Sequence, residues 1–81
     1  MENRIGVVGI VIEDRNFVPL VNSILSEHGE IIVGRMGIPY RDRHVAVISL
    51  IVDGTTDEIG SLTGRLGEVK GVSVKSALTK K

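Results

Sequence analysis

The 81-residue sequence contains no cysteine, and its only large aromatic residues are Phe17 and Tyr40. Without cysteine the chain cannot form disulfides, iron-sulfur clusters or thiolate zinc sites, and this composition suits the reducing cytoplasm. Two aromatic rings are too few to build the stacking platforms on which proteins bind bases. We therefore expect a cytoplasmic protein that folds without covalent cross-links.

The sequence also lacks an excess of charge, because ten basic residues balance ten acidic ones. A broad positive field is what nucleic acids and anionic membranes attract, so we expect no direct nucleic-acid partner. The apolar run from Ile5 to Ile12 is too short to span a bilayer, and we expect no membrane partner. No phosphate-binding glycine motif or nucleophile elbow is present. We expect no enzymatic activity and leave any cofactor unidentified.

Hydrophobic periodicity predicts six elements. Residues 5–12 form a β-branched strand that is apolar on both faces, and Phe17 to Leu25 recur at helical spacing, with Asn16 to cap that helix and Gly29 to end it. Pro19 falls in the first turn, where its missing N–H has no helical partner. The rest of the sequence predicts three more strands and a second helix.

Glu30 to Met36 form the second strand, and Gly37 to Arg43 form a surface loop. His44 to Val52 form a third strand that is apolar on both faces. A capping box of Thr55 and Glu58 begins a second helix, which ends at Gly67 and in which Gly60 and Gly64 suggest a close backbone approach. Val72 to Leu78 form the last strand.

This order, strand-helix-strand-strand-helix-strand, predicts an α+β, ferredoxin-like βαββαβ fold over a single domain, residues 1–81. Right-handed crossovers place the first and third strands in the centre of a four-stranded antiparallel sheet, with both helices on one face. The charged positions of the second and fourth strands, such as Arg35 and Lys75, suit edge strands.

The face of the sheet without helices then exposes apolar residues, either Ile5, Val7 and Val11 or Val8, Ile10 and Ile12. Exposed apolar patches mark interfaces. We predict self-association as a dimer or tetramer through this open face. A C-terminal tail or another protein could cover the face instead.

Two charged segments are candidate ligand sites. The first, Glu13-Asp14-Arg15-Asn16, precedes the first helix, and the second, Tyr40-Arg41-Asp42-Arg43-His44, joins the second and third strands. Arginines bind carboxylates and phosphates through paired hydrogen bonds. We predict no metal site in one chain, with His44 as the weak candidate ligand, and a helix-capping role for His28. The predicted ligand-binding residues are Asp14, Arg15, Asn16, Tyr40, Arg41, Arg43 and His44.

The segments Arg35 to Val45 and Ser49 to Thr56 resemble the family of iron-only hydrogenase system regulators. That family is ACT-like and is similar to the C-terminal domain of the nickel-responsive regulator. The resemblance implies an oligomeric regulatory module that senses a small ligand or metal. Amino-acid-binding ACT domains carry an Asn-x-x-Gly turn where this chain has Asn16 to Pro19, which disfavours amino acids as ligands. The alternative is a structural protein-protein adaptor without a ligand.

Overall fold

The computed structural model describes residues 2–80. Its strands and α-helices follow one another in the predicted order. They are β1 (Arg4–Ile12), α1 (Val18–Glu27), β2 (Ile32–Tyr40), β3 (Val45–Gly54), α2 (Thr56–Gly67) and β4 (Val72–Leu78).

The four strands form one antiparallel sheet in the order β2-β3-β1-β4. The ferredoxin-like fold is therefore confirmed, with β1 and β3 in the centre and the helices on one face. Within residues 2–80 no helix is long and apolar enough to cross a bilayer.

The core lies between the sheet and the helices. Of the two alternatives for β1, Val8, Ile10 and Ile12 face the helices and are fully buried, whereas Ile5, Val7 and Val11 face away. Burial of the helix-facing side chains supplies most of the driving force for folding. The remaining core residues are Val21, Ile24, Leu25, Ile31, Ala46, Ile48, Leu50, Val52, Ile59, Leu62, Leu66 and Val69.

The helix ends follow the predictions in most places, and one cap departs from them. Pro19 lies in the first turn of α1, and His28 caps its C-terminus, with the ring Nδ1 2.9 Å from the Ile24 carbonyl oxygen. The capping box of Thr55 and Glu58 is present. The cap assigned to Asn16 is wrong, because the Asp14 carboxylate accepts the Asn16 N–H and begins a separate 3-10 turn before α1.

The loop predicted for residues 37–43 is mostly strand. Gly37 to Tyr40 pair with Ile48 to Val45, so that β2 continues to Tyr40 and only a 3-10 turn, Arg41–Arg43, connects it to β3. Pro39 is tolerated because β2 is an edge strand, where a missing N–H need not break the ladder. His44 does not begin β3 as predicted, since its left-handed backbone (φ 56°) keeps it outside the sheet.

A β-bulge at Val33 reverses the alternation of β2. Ile32 faces the helices, and regular alternation would place Met36 on the same side. The bulge instead turns Arg35 toward the helices and Met36, Ile38 and Tyr40 toward the open face. The bulge thereby decides which residues of β2 meet α1.

The close approach suggested for Gly60 and Gly64 is wrong, because nothing lies within 4 Å of a Cβ added at either position. The chain does approach closely at Gly71, where φ is +75° and an added Cβ would lie 3.3 Å from the Asp14 Cβ. Glycine adopts this left-handed conformation without steric cost. The turn before β4 therefore packs against the segment between β1 and α1.

Candidate functional site

The two charged segments predicted separately meet at one end of the sheet. Ile12, the last residue of β1, pairs with Ala46 at the start of β3, so the residues that follow one strand lie beside those that precede the other. A shallow cleft at this junction is lined by Glu13, Asp14, Arg15, Asn16 and His44. We call it the His44 cleft.

One wall of the His44 cleft is held by backbone hydrogen bonds. The Glu13 N–H donates to the Gly71 carbonyl at 2.7 Å, and the Asp14 carbonyl accepts the Phe17 N–H at 3.0 Å. The Asp14 carboxylate also accepts the Asn16 N–H at 3.0 Å. These bonds preorganise the segment, which reduces the entropy that a ligand would have to overcome.

His44 itself has an unusual backbone. It is the only residue within 2–80, apart from glycine, with a positive φ. Its N–H donates to the Arg41 carbonyl at 3.2 Å, which closes the 3-10 turn and fixes this conformation. Such strained residues concentrate at functional sites, where the surrounding structure holds them in place.

A second groove lies on the open face of the sheet beside the His44 cleft. Tyr40, Arg43 and Glu13 line it, above an apolar floor formed by Val11, Ile38, Val45 and Val47. Glu13 borders both the groove and the His44 cleft. Six of the seven predicted site residues line one or other of these two depressions, whereas Arg41 lines neither.

This end of the sheet presents both signs of charge together with an imidazole. Arg15, Arg43 and His44 can donate hydrogen bonds, and Glu13 can accept them. Such a set of donors and acceptors can bind a polar molecule through hydrogen bonds. Among residues 2–80 no three His, Asp or Glu side chains converge to hold a metal.

A third depression contains Asn22 and Arg35, which are not among the predicted ligand-binding residues. It lies between α1 and β2, where the Arg35 Nη2 donates to the Asn22 Oδ1 at 3.0 Å and Arg15 forms part of the wall. The signal for this site is the β-bulge at Val33, which periodicity alone does not reveal. Without the bulge, Arg35 would belong to the open face.

The residues whose pKa is shifted lie in the helices. The Arg65 guanidinium pairs with the Glu27 carboxylate and lowers its pKa, and Glu27 in turn raises the pKa of Arg65. A hydrogen bond with the Thr55 backbone, and a smaller contribution from one with the Thr55 side chain, lower the pKa of Glu58. These shifts reflect contacts that stabilise the helices and lie outside the His44 cleft.

Comparison with known proteins agrees with the fold and with the family resemblance of the segments Arg35 to Val45 and Ser49 to Thr56. Residues 4–76 match the model of the family described as "TM1266-like: Iron-only hydrogenase system regulator, putative". The solved structure of the uncharacterized protein TM1266 from Thermotoga maritima is 39% identical, with a TM-score of 0.91 over 98% of this chain and 100% of that one.

More distant structures share the fold alone. The ACT domain of the GTP pyrophosphokinase of Chlorobium tepidum is 20% identical, with a TM-score of 0.79 over 93% of this chain and 99% of that domain. A nitrogen regulatory PII-like protein from Thiomonas intermedia K12 is 14% identical, with a TM-score of 0.55 over 94% and 91% of the two chains. No curated protein matches the sequence significantly.

Proposed function

Because this chain belongs to the family of iron-only hydrogenase system regulators, we propose that it is a non-catalytic regulatory module that self-associates and senses a small ligand. The observation that carries the proposal is the position of Glu13, which borders both the His44 cleft and the open face. A ligand in the His44 cleft would then lie next to the surface through which the copies associate. We propose that residues 1–81 act as one cytoplasmic domain.

The open face supports the self-association. Across β3, β1 and β4, Val7 lies between Ile51 and Ala77, and Val11 lies between Val47 and Ser73. Exposed apolar side chains that are contiguous, and not scattered singly, usually mark an interface. The large exposed side chains of this face are Ile5, Val7, Val11, Met36, Ile38, Tyr40, Val47 and Ile51.

The apolar patch is not centred on the sheet. β4 contributes only Ser73, Lys75 and Ala77 to the open face, and burial of Lys75 without a partner would be costly. A second copy would therefore lie over β2, β3 and β1 and leave β4 at the rim. In this position it would also cover the groove beside Tyr40 and Arg43.

If a second copy covers this groove, ligand binding and self-association can influence each other. A ligand that contacts Glu13 or Arg43 would interact differently with the single chain and with the assembly. A difference in interaction free energy between two states is what shifts their equilibrium. The ligand would thus change the strength of self-association, and self-association would change the affinity for the ligand by the same factor.

Thermal unfolding in the presence of amino acids, nucleotides and divalent metal salts tests the sensing. A ligand that binds only the folded chain raises the melting temperature. We expect His44→Ala and Arg43→Gln to reduce that shift and Arg41→Gln, the matched control, to retain it. If no compound raised the melting temperature, or if the three variants responded alike, the sensing proposal would fail.

A structural adaptor without a ligand is the second candidate, because the same apolar face could accept a different protein. Sizing in solution separates the two. Self-association supports the regulatory module, whereas a single chain that forms a stoichiometric complex with another protein, with no ligand effect, supports the adaptor.

A further inference from the structure

The groove between α1 and β2 lies on the helix side of the sheet, and of its lining residues only Ile38 and Val47 also line the groove on the open face. Its floor includes Ala46 and Ile48 of β3, and its walls include Val18 of α1 and Gly37 of β2. The cavity volume is about 240 Å³, which is below the roughly 300–1,000 Å³ of pockets that hold drug-sized molecules. An occupant would be a small metabolite and not a nucleotide or a peptide.

The polar groups of this groove are all hydrogen-bond donors or groups that position donors. Arg15 and Arg35 supply two guanidinium groups, and Asn22 fixes one of them through the 3.0 Å bond from Arg35. A guanidinium has five N–H donors, so Arg35 keeps most of them for a ligand. Neither arginine takes part in an ion pair found within residues 2–80.

Among the residues that the structure describes, the groove has no negative group to match these positive charges. No Asp or Glu among the described residues lines it. An ammonium group would therefore meet two guanidinium groups and no carboxylate, which is unfavourable. The charge pattern selects an anion and rejects a zwitterionic amino acid of the same size.

The apolar floor of the groove favours a ligand with an apolar carbon skeleton. Ala46 and Ile48 are almost fully buried beneath the groove, and Gly37 leaves the space above Ile48 open because it has no side chain. A Cβ at Gly37 would lie 3.7 Å from the Ile48 Cγ1, in ordinary van der Waals contact. An apolar carbon skeleton of a ligand could occupy that space.

We propose that the groove between α1 and β2 binds a small organic anion, whose carboxylate or phosphoryl group bonds to Arg15 and Arg35 while its carbon skeleton lies on Ala46 and Ile48. This inference goes beyond the sensing proposed above, because Arg35, Asn22 and Gly37 lie outside the His44 cleft. Arg15 alone lines both.

Binding can be followed by NMR titration of the full chain with three probes. Isocaproate carries a carboxylate on an apolar skeleton, leucine adds an ammonium group to the same skeleton, and inorganic phosphate lacks the skeleton. We expect isocaproate to give saturable shifts at the Asn22 side-chain amide and the Gly37 and Ala46 backbone amides. We expect weaker binding of phosphate and no saturable binding of leucine.

Two variants remove the site in different ways. Arg35→Gln should weaken isocaproate binding by about tenfold or more, because it removes a charged hydrogen-bond donor. Gly37→Val should block the groove while both arginines remain, and its contact with Ile48 is mild enough for the fold to persist. Arg41→Gln, an arginine outside the groove, should bind like the unmodified chain.

The outcomes are decisive. Absence of saturable shifts with isocaproate and phosphate overturns the site, and leucine binding as tightly as isocaproate overturns the selection for anions. Phosphate binding more tightly than isocaproate overturns the role of the apolar floor. None of these results changes the expectation for self-association, since Arg35 and Gly37 face the helices and not the open face.

Discussion

The two faces of the sheet are built from the same kinds of side chain and differ in what covers them. Val8 is fully buried, whereas its neighbour Val7 is 44% exposed, and Leu50 and Ile51 differ in the same way, at 0% and 42%. The helices cover one member of each pair only. Residues 2–80 thus cover only one face of strands that are apolar on both, and we propose that a second copy covers the other face.

The largest effect on stability should come from shortening a side chain on the face that the helices cover, in comparison with its neighbour on the open face. Leu50→Ala should lower the free energy of unfolding by about 3 kcal/mol, because it removes buried methyl groups and leaves a cavity. Ile51→Ala should lower it by less than about 1 kcal/mol when urea unfolding is measured in dilute solution. Equal losses would contradict the assignment of the two faces.

A charge on the open face should separate the copies. Ile51→Glu should weaken self-association by about 2 kcal/mol, or roughly 30-fold, because a carboxylate would be buried among apolar groups. The matched control is Leu20→Glu on α1, since Leu20 is 46% exposed and Ile51 is 42% exposed. Sedimentation at several concentrations measures both variants, and equal weakening would exclude the open face as the interface.

Gly71→Ala tests the turn that holds one wall of the His44 cleft. It should cost about 1–2 kcal/mol, because alanine is strained at φ +75° and its Cβ would press against Asp14. Gly60→Ala should instead stabilise the chain by roughly 1 kcal/mol, since that glycine lies in α2 with open space around it. Thermal unfolding of the two variants should give changes of opposite sign.

The smallest effect concerns the cap of α2. Thr55→Ala should cost about 1 kcal/mol, whereas Thr56→Ala, one position inside the helix, should cost less. Thr55 also lowers the pKa of Glu58. A lowered folded-state pKa gives stability that is present at neutral pH and is lost as the pH falls through that pKa. Glu58→Gln should therefore flatten the stability profile in the acid range, and an unchanged profile would contradict the cap.

Sequence periodicity predicts most of the fold, because each element signals its own face and ends. Val8, Ile10 and Ile12 alternate along β1, and the capping box marks the start of α2. Even so, alternation along β1 alone does not show which of its faces the helices cover. That depends on how the side chains of the helices pack against the sheet, and they bury Val8, Ile10 and Ile12.

The site could be predicted only in part. The sequence identifies the charged segments around Arg15 and His44, but the antiparallel register brings them together. The β-bulge at Val33 and the left-handed conformation of His44 depend on how β2 pairs with β3, which no local pattern encodes. For this reason the contact between Arg35 and Asn22 is visible only in the folded chain.

Light scattering of the unmodified chain at micromolar concentration measures self-association itself. We expect a mass of two or four chains, which should fall toward that of one chain in Ile51→Glu. A clean monomer of the unmodified chain would contradict self-association through the open face and the regulation built on it.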